Sequence, residues 1–295
     1  VFEESAPPIV RVSHHRCHAS SAFYPADFRD GIVVTMDARG EYDSTVVWRA
    51  NGDGLRRIRT FRYPNSLGSF YSRSTTYLGY RGFGDEGKVM GLAPYGSENA
   101  DIESRLRDVA TFGRDYDATA LTSKGGTTAF AELFDRPPAE DATAFTDWDR
   151  DFAHVVQSLL EETVTGIVDH YCREYDIGNV GLAGGVALNC KVNQRVRELD
   201  TVEDLFVQPV ANDAGVPLGG VLSRVGDHVE QPTVYFGDFF SASDIEDLLT
   251  RNKIPYRRPP DMPGYVAERL SSGALVGWFQ GRMEMGPRAL GNRSI

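Results

Sequence analysis

Residues 179–219 read NVGLAGGVALNCKVNQRVRELDTVEDLFVQPVANDAGVPLG, and the fold is decided by how this stretch is parsed. Val180, Leu182 and Ala183 form a short apolar run that stops at Gly184-Gly185. Val186, Leu188, Val192, Val196 and Leu199 then recur at helical spacing. A second apolar run, Leu205, Phe206 and Val207, leads through Gln208-Pro209 to Asp213 and Gly215 at another helix start. Strand, glycine turn, helix and strand in this order predict an α/β unit. The glycine pair allows two readings: backbone N–H groups free to meet a phosphate at a helix N-terminus, or tight packing alone. Asp213 likewise reads as a functional carboxylate or as a simple helix cap.

Working outward from this stretch, residues 31–37 (GIVVTMD) form an apolar strand ending in Asp37, followed by strands over 44–49 and 55–63 with a turn at Asn51-Gly52-Asp53-Gly54. Asp37 makes the turn itself or serves a ligand there. On the N-terminal side, residues 9–13 read as a short strand running into HHRCHASSAFY. If that segment is helical, His14 and His18 lie four apart on one face, in reach of one metal ion. His15 points elsewhere and has a supporting role.

Residues 66–79 are expected to be helical, and 84–96 to be a glycine-rich loop around Lys88, which contacts phosphate or acceptor or is simply solvated. The span Asp147–Tyr175 carries the longest helical pattern, with His154 and His170 on its flanks as ordinary residues. A linker over 231–240 precedes a second α/β unit: a helix at 243–250, a strand at 255–258, a helix at 265–270 and a strand at 274–279. That unit runs into a loop with Arg282, Arg288 and Arg293, guanidinium forks suited to an oxyanion.

The chain has 295 residues, 41% of them apolar, and a net charge of −11 from 25 Asp and 17 Glu against 27 Arg and 4 Lys. That balance speaks against coating a nucleic acid. Cys17, Cys172 and Cys190 are odd in number and form no CxxC, which favours a reduced interior, and no run approaches the roughly 18 apolar residues of a membrane span.

GGVALN followed by QPxxxDxGxxLG resembles the carbamoyltransferases that make carbamoyl esters on antibiotics and nodulation factors. Other motifs of that family stand in the same order: HHxxHAxSAF over 14–23, SLGxFYSxxTxxLG over 66–79, EGKxMGLAPYG over 86–96, and GRxEFGPRALGNRS over 281–294 with Met285 replacing an aromatic. Ala38 departs from the glycine that usually follows the Asp of the first hairpin. The resemblance implies an α/β fold: a domain over 1–230 similar to the tRNA threonylcarbamoyl-transfer proteins, within the actin/sugar-kinase/heat-shock-ATPase class, then the truncated start of a YrdC-like α/β domain over 231–295. With no initiator Met and a stop inside a motif, both ends are expected to be cut.

The chemistry it implies is ATP-dependent O-carbamoyl transfer. Carbamoyl phosphate and ATP would give a carbamoyl-adenylate, and the carbamoyl group would then pass to a hydroxyl of a small acceptor. His14, His18 and Asp213 would hold a divalent metal, iron foremost, with Zn or Mg as alternatives. Gly184, Gly185 and Asn189 would seat the nucleotide with Asp37, Asp213 and Arg293, and catalysis would involve His14, Asp37, Lys88, Arg288 and Arg293. A cytoplasmic enzyme is expected, with no nucleic-acid or membrane partner and a homodimer left open. Two rivals stand beside it: a tRNA threonylcarbamoyl-type transferase, and a nucleotide-switched interaction protein of the chaperone or actin type. The histidine pair speaks against the second, since such switches hold Mg²⁺ through phosphate and water.

Overall fold

A strand buried on both faces organises the larger unit. The computed structural model describes residues 8–295, and contacts divide the chain between Glu230 and Gln231. The first unit runs α1 (His14–Phe23), β1 (Gly31–Gly40), β2 (Asp43–Asn51), β3 (Gly54–Arg62), α2 (Leu67–Tyr77), α3 (Glu86–Leu92), α4 (Ala100–Val109), α5 (Thr119–Thr122), α6 (Thr128–Phe134) and α7 (Asp147–Tyr175). It continues with β4 (Asn179–Ala183), α8 (Cys190–Arg197), β5 (Asp204–Val207) and α9 (Val216–Val225).

The sheet order is β3-β2-β1-β4-β5. β1 pairs antiparallel with β2, Val33 opposite Trp48, and parallel with β4, Ile32 opposite Val180. Side chains alternate across β1. Ile32, Val34 and Met36 enter a core shared with α2, α7 and α8, while Val33 packs with Ala19, Ala22 and Phe23 of α1 and Leu222 of α9. The result is a mixed sheet between two helical layers. The carboxyl ends of its three parallel strands, where residues 37, 184 and 208 lie, form one edge of the unit.

α7 spans the residues its periodicity predicts, because both ends are specified locally. Thr146 and Asp149 form a reciprocal capping box, and Asp176 closes the helix in the left-handed conformation.

Four expectations need correction. Residues 9–13 form no strand; they lead in irregularly to Ser13 at the start of α1. The glycine-rich segment 84–96 is mostly helical, as α3 and a 3₁₀ turn over Ala93–Tyr95, because Val89 and Leu92 are buried on one face and that burial overrides the glycine penalty. The helix expected from Val186 to Leu199 is broken at Asn189, whose side chain accepts from Val192 N–H and caps α8, leaving Gly185–Leu188 as a 3₁₀ turn. No strand covers 255–258, and that expected over 274–279 shrinks to Trp278–Phe279.

The second unit holds α10 (Ala242–Arg251), α11 (Met262–Ser271) and a short ribbon of β6 (Trp278–Phe279) with β7 (Arg293–Ser294). Its loop is built on Glu284, which is 3% exposed. One carboxylate oxygen accepts backbone N–H groups of Leu290, Asn292 and Arg293, and the other accepts from Arg293 Nε at 2.7 Å.

Candidate metal centre

α1 does place His14 and His18 on one face. Their Nε2 atoms lie 3.0 Å apart, with His18 fully buried. Asp37, in β1 just past the residues paired with β4, brings Oδ2 to 3.5 Å from His14 Nε2 and 3.2 Å from His18 Nε2. Asp213, beyond β5, brings Oδ1 to 3.6 and 3.5 Å from the same two atoms. One ligand atom from each residue lies within 4.8 Å of all the others. The Asp213 side chain is 75% exposed, so the cluster opens to solvent on that side.

The strands and helices hold these four groups through close approaches that glycines permit. A Cβ on Gly219 would sit 1.8 Å from the Cys17 carbonyl oxygen, so α9 rests directly on α1. A Cβ on Gly40 would sit 2.2 Å from His14 Cδ2, so the end of β1 lies against that imidazole. Gln208 is buried and spans the gap from β5 to α1, its Nε2 donating to Ser21 O and its Oε1 accepting from Val210 N–H.

Asp37 is the most constrained member. Ala38 N–H donates to its Oδ1 at 2.8 Å and Gly185 N–H to its Oδ2 at 3.3 Å. Gly184 has φ +92°, and a Cβ there would strike Met36 O at 2.1 Å. In this structure the glycine pair seats an aspartate. The start of α2 clamps the same turn: Ser66 Oγ donates to Ala38 O at 2.7 Å, and Gly68 has no room for a Cβ beside Asp37 and Ala38.

Burial alone would raise the Asp37 pKa, but hydrogen bonds from His14 and His18 outweigh it and hold the carboxyl well below the usual range. Burial would lower His18, yet its bonds to Asp213 and Asp37 win and raise it. His15 has no such acid, and burial takes it down to about 4; its Nδ1 meets Thr35 Oγ1 at 2.9 Å. Two imidazole nitrogens and two carboxylates converging on one point make a donor set that fits a divalent cation such as Fe(II), Zn(II) or Mn(II). Such an ion would bind these ligands in their deprotonated forms.

Other residues singled out from sequence fall elsewhere. Asn189 Oδ1 accepts from Val192 N–H and Gln157 Nε2, and its Nδ2 donates to Gln157 Oε1 at 2.9 Å, so a buried amide pair occupies it. Lys88 Nζ pairs with Asp85 at 2.9 Å on the surface. Arg293 braces its own loop through Glu284 and the carbonyls of Gly286 and Arg288, and it lines an open cleft of about 580 Å³ with Trp278 and Pro287. Arg282 donates to Gly237 O. Gly40, Ser66, Gly68, Gln208 and Gly219 were not singled out, although all but Gly40 lie in a quoted motif; their role depends on partners far away in sequence.

Residues 2–222 match the carbamoyltransferase N-terminus family model, and residues 267–295 match the carbamoyltransferase C-terminus model. The chain belongs to the carbamoyltransferase family. An uncharacterized protein of Synechocystis is 36% identical over 98% of this chain and 50% of its own length. Nodulation protein NolO of Bradyrhizobium diazoefficiens is 34% identical over 96% and 53%. The 3'-hydroxymethylcephem-O-carbamoyltransferase of Streptomyces clavuligerus is 29% identical over 72% and 38%. The chain thus spans about half the length of the curated relatives it matches. None of its described helices is long and apolar enough to cross a membrane.

Proposed function

We propose that this chain carries the metal-dependent transfer centre of an ATP-dependent O-carbamoyltransferase. The observation that carries the reading is the convergence of His14, His18, Asp37 and Asp213 at the carboxyl edge of the parallel strands, where open α/β sheets bind their ligands. The antiparallel β1-β2-β3 meander continued by parallel β4 and β5 supports assignment of this unit to the actin/sugar-kinase/heat-shock-ATPase class.

The bound metal would supply Lewis-acid polarisation at this edge. His14, His18 and Asp37 would hold it, the Asp37 carboxylate being aimed by the N–H groups of Ala38 and Gly185. Asp213, whose side chain is 75% exposed, would be the ligand on the open side. Water frees carbamate from carbamoyl phosphate with release of phosphate. A carbamate oxygen then attacks the α-phosphorus of ATP, pyrophosphate leaves, and a carbamoyl-adenylate is the intermediate. In the transfer, the acceptor oxygen bonds to the carbamoyl carbon, the bond from that carbon to the adenylate phosphate oxygen breaks, AMP leaves with the electron pair, and the hydroxyl proton is released. Arg293 belongs to the donor side, where it shapes the loop that lines the cleft in the second unit.

The test uses the full chain with ATP, ¹⁴C-carbamoyl phosphate and a panel of hydroxylated acceptors, alongside metal analysis of the same preparation. Wild type should contain about one Fe, Zn or Mn per chain and form labelled carbamate, and His18→Ala should lose both. Carbamate formation by a metal-free wild type would overturn the reading.

A further inference from the structure

β3 ends the five-stranded sheet, and no described strand pairs with its outer edge. Its nine residues give that edge a length of about 30 Å. Among the described residues its backbone bonds go to β2, except that Arg62 O accepts from Asn65 N–H in the turn that follows. Side chains reach two of its carbonyls: Arg16 donates to Leu55 O, and Ser44 Oγ to Phe61 O. The remaining outward N–H and C=O groups are open to another extended chain.

The strand also carries Arg56, Arg57, Arg59 and Arg62 and no acid, in a chain of net charge −11. Asp43 pairs with Arg57, and Asp115 pairs with Arg59 at 3.2 Å. The Arg62 side chain is 80% exposed and lies 3.9 Å from the Asp43 carboxylate that Arg57 already holds. Arg56 has no acid among the described residues. Its cross-strand neighbour is Arg49, whose own partner is Asp30. Like charges opposite each other cost stability, and two positive charges are left over along an open edge.

We propose that the β3 edge is a docking site for an acidic, extended peptide segment of a partner protein, added as a sixth strand. Its carboxylates pair with Arg56 and Arg62, while its N–H and C=O groups meet those of the strand. A second copy of this chain is the wrong occupant. Two β3 edges brought together would set four arginines against four. The register shift that leaves Ile58 without a partner on β2 also breaks the long, regular run that self-pairing needs, whereas a short segment needs only one side of it. Nucleic acid fits less well, because the rest of this acidic chain repels a long polyanion.

Fluorescence anisotropy on the full chain uses a labelled heptapeptide of alternating glutamate and valine. Wild type should bind it at low salt and lose it as NaCl rises toward about 1 M. A double variant, Arg56→Glu with Arg62→Glu, should bind about tenfold more weakly. Glutamate at position 56 faces Arg49, so the fold is kept, which an unchanged thermal midpoint checks. The same peptide N-methylated on alternate amides keeps its charge and loses strand bonds, and it too should bind about tenfold more weakly. Equal affinity of wild type and the double variant overturns the docking site, and equal affinity for the methylated peptide overturns strand addition. No binding of the peptide, or tighter binding of an oligothymidylate than of the peptide, also overturns the proposal.

Discussion

Gly219 offers the sharpest test of how the cluster is held. Its missing Cβ would lie 1.8 Å from the Cys17 carbonyl oxygen and 2.5 Å from the Cys17 carbonyl carbon, whereas ordinary contact begins near 3.4 Å. Gly219→Ala therefore requires α9 to retreat from α1 by about 1.5 Å, since neither partner atom is a side chain that can turn away. α1 carries both histidines, and α9 follows directly on the segment bearing Asp213, so the retreat separates the ligand set. Metal sites tolerate about 0.2 Å in ligand distance, so a shift several times larger should lower affinity at least tenfold.

Overpacking of this kind costs about 1–3 kcal/mol, a fall in Tm of about 2–12 °C for a unit of this size. The neighbouring Gly220 supplies the control, because a Cβ there would meet only Cys17 Sγ at 3.8 Å. Gly220→Ala should be neutral or stabilising by up to about 1 kcal/mol, since alanine favours the helix. Calorimetric unfolding with and without Zn(II) or Fe(II), run on both variants, separates the effects. Equal Tm and equal metal affinity for the two variants would refute the argument.

Gly185→Val should release Asp37, because a Cβ there would lie 3.2 Å from Oδ1 even before the branches are added; metal affinity should fall with nucleotide binding, and loss of nucleotide binding alone would contradict this. Gln208→Leu leaves Ser21 O and Val210 N–H without their partner and should cost about 2 kcal/mol in chemical denaturation. Burial works to raise the Glu284 pKa, but its backbone donors take it from 4.5 down to about 2. A carboxylate lowered on folding stabilises fully above 4.5 and loses its contribution as pH falls from there toward 2, so the amide shifts of Leu290, Asn292 and Arg293 should titrate together near pH 2 and not near 4.5.

The sequence was most legible where local rules suffice. The histidine pair follows from spacing alone, and α7 follows from its periodicity and caps. Asp213 was different: its residues permit a plain helix cap, and only the motif order pointed to the metal. Asp37 stood between a turn and a ligand, and the structure places it in β1 just past the residues paired with β4, as a member of the cluster. The packing role of the glycines could not be read from sequence, for a physical reason. Gly184 allowed a phosphate seat or tight packing; a Cβ there would strike the Met36 backbone, and no local pattern reveals a neighbour about 150 residues away. The segment 84–96 failed similarly, since its glycines suggest a loop until Val89 and Leu92 are seen to be buried.

The place of β4 between β1 and β5 has a consequence for how the protein is made. β1 and its hairpin partners leave the ribosome well before β4, and the other edge of β1 is an apolar strand with open amides until Ala183 emerges. Asp213 follows Asp37 by roughly 175 residues, about 9–35 s of synthesis. Through that interval the histidines and Asp37 form at most three-quarters of the cluster beside an unfinished sheet. A nascent chain stalled between Gly40 and Ala183 should therefore be the species most prone to strand-edge association. Metal held before Asp213 arrives should exchange faster than metal in the finished protein.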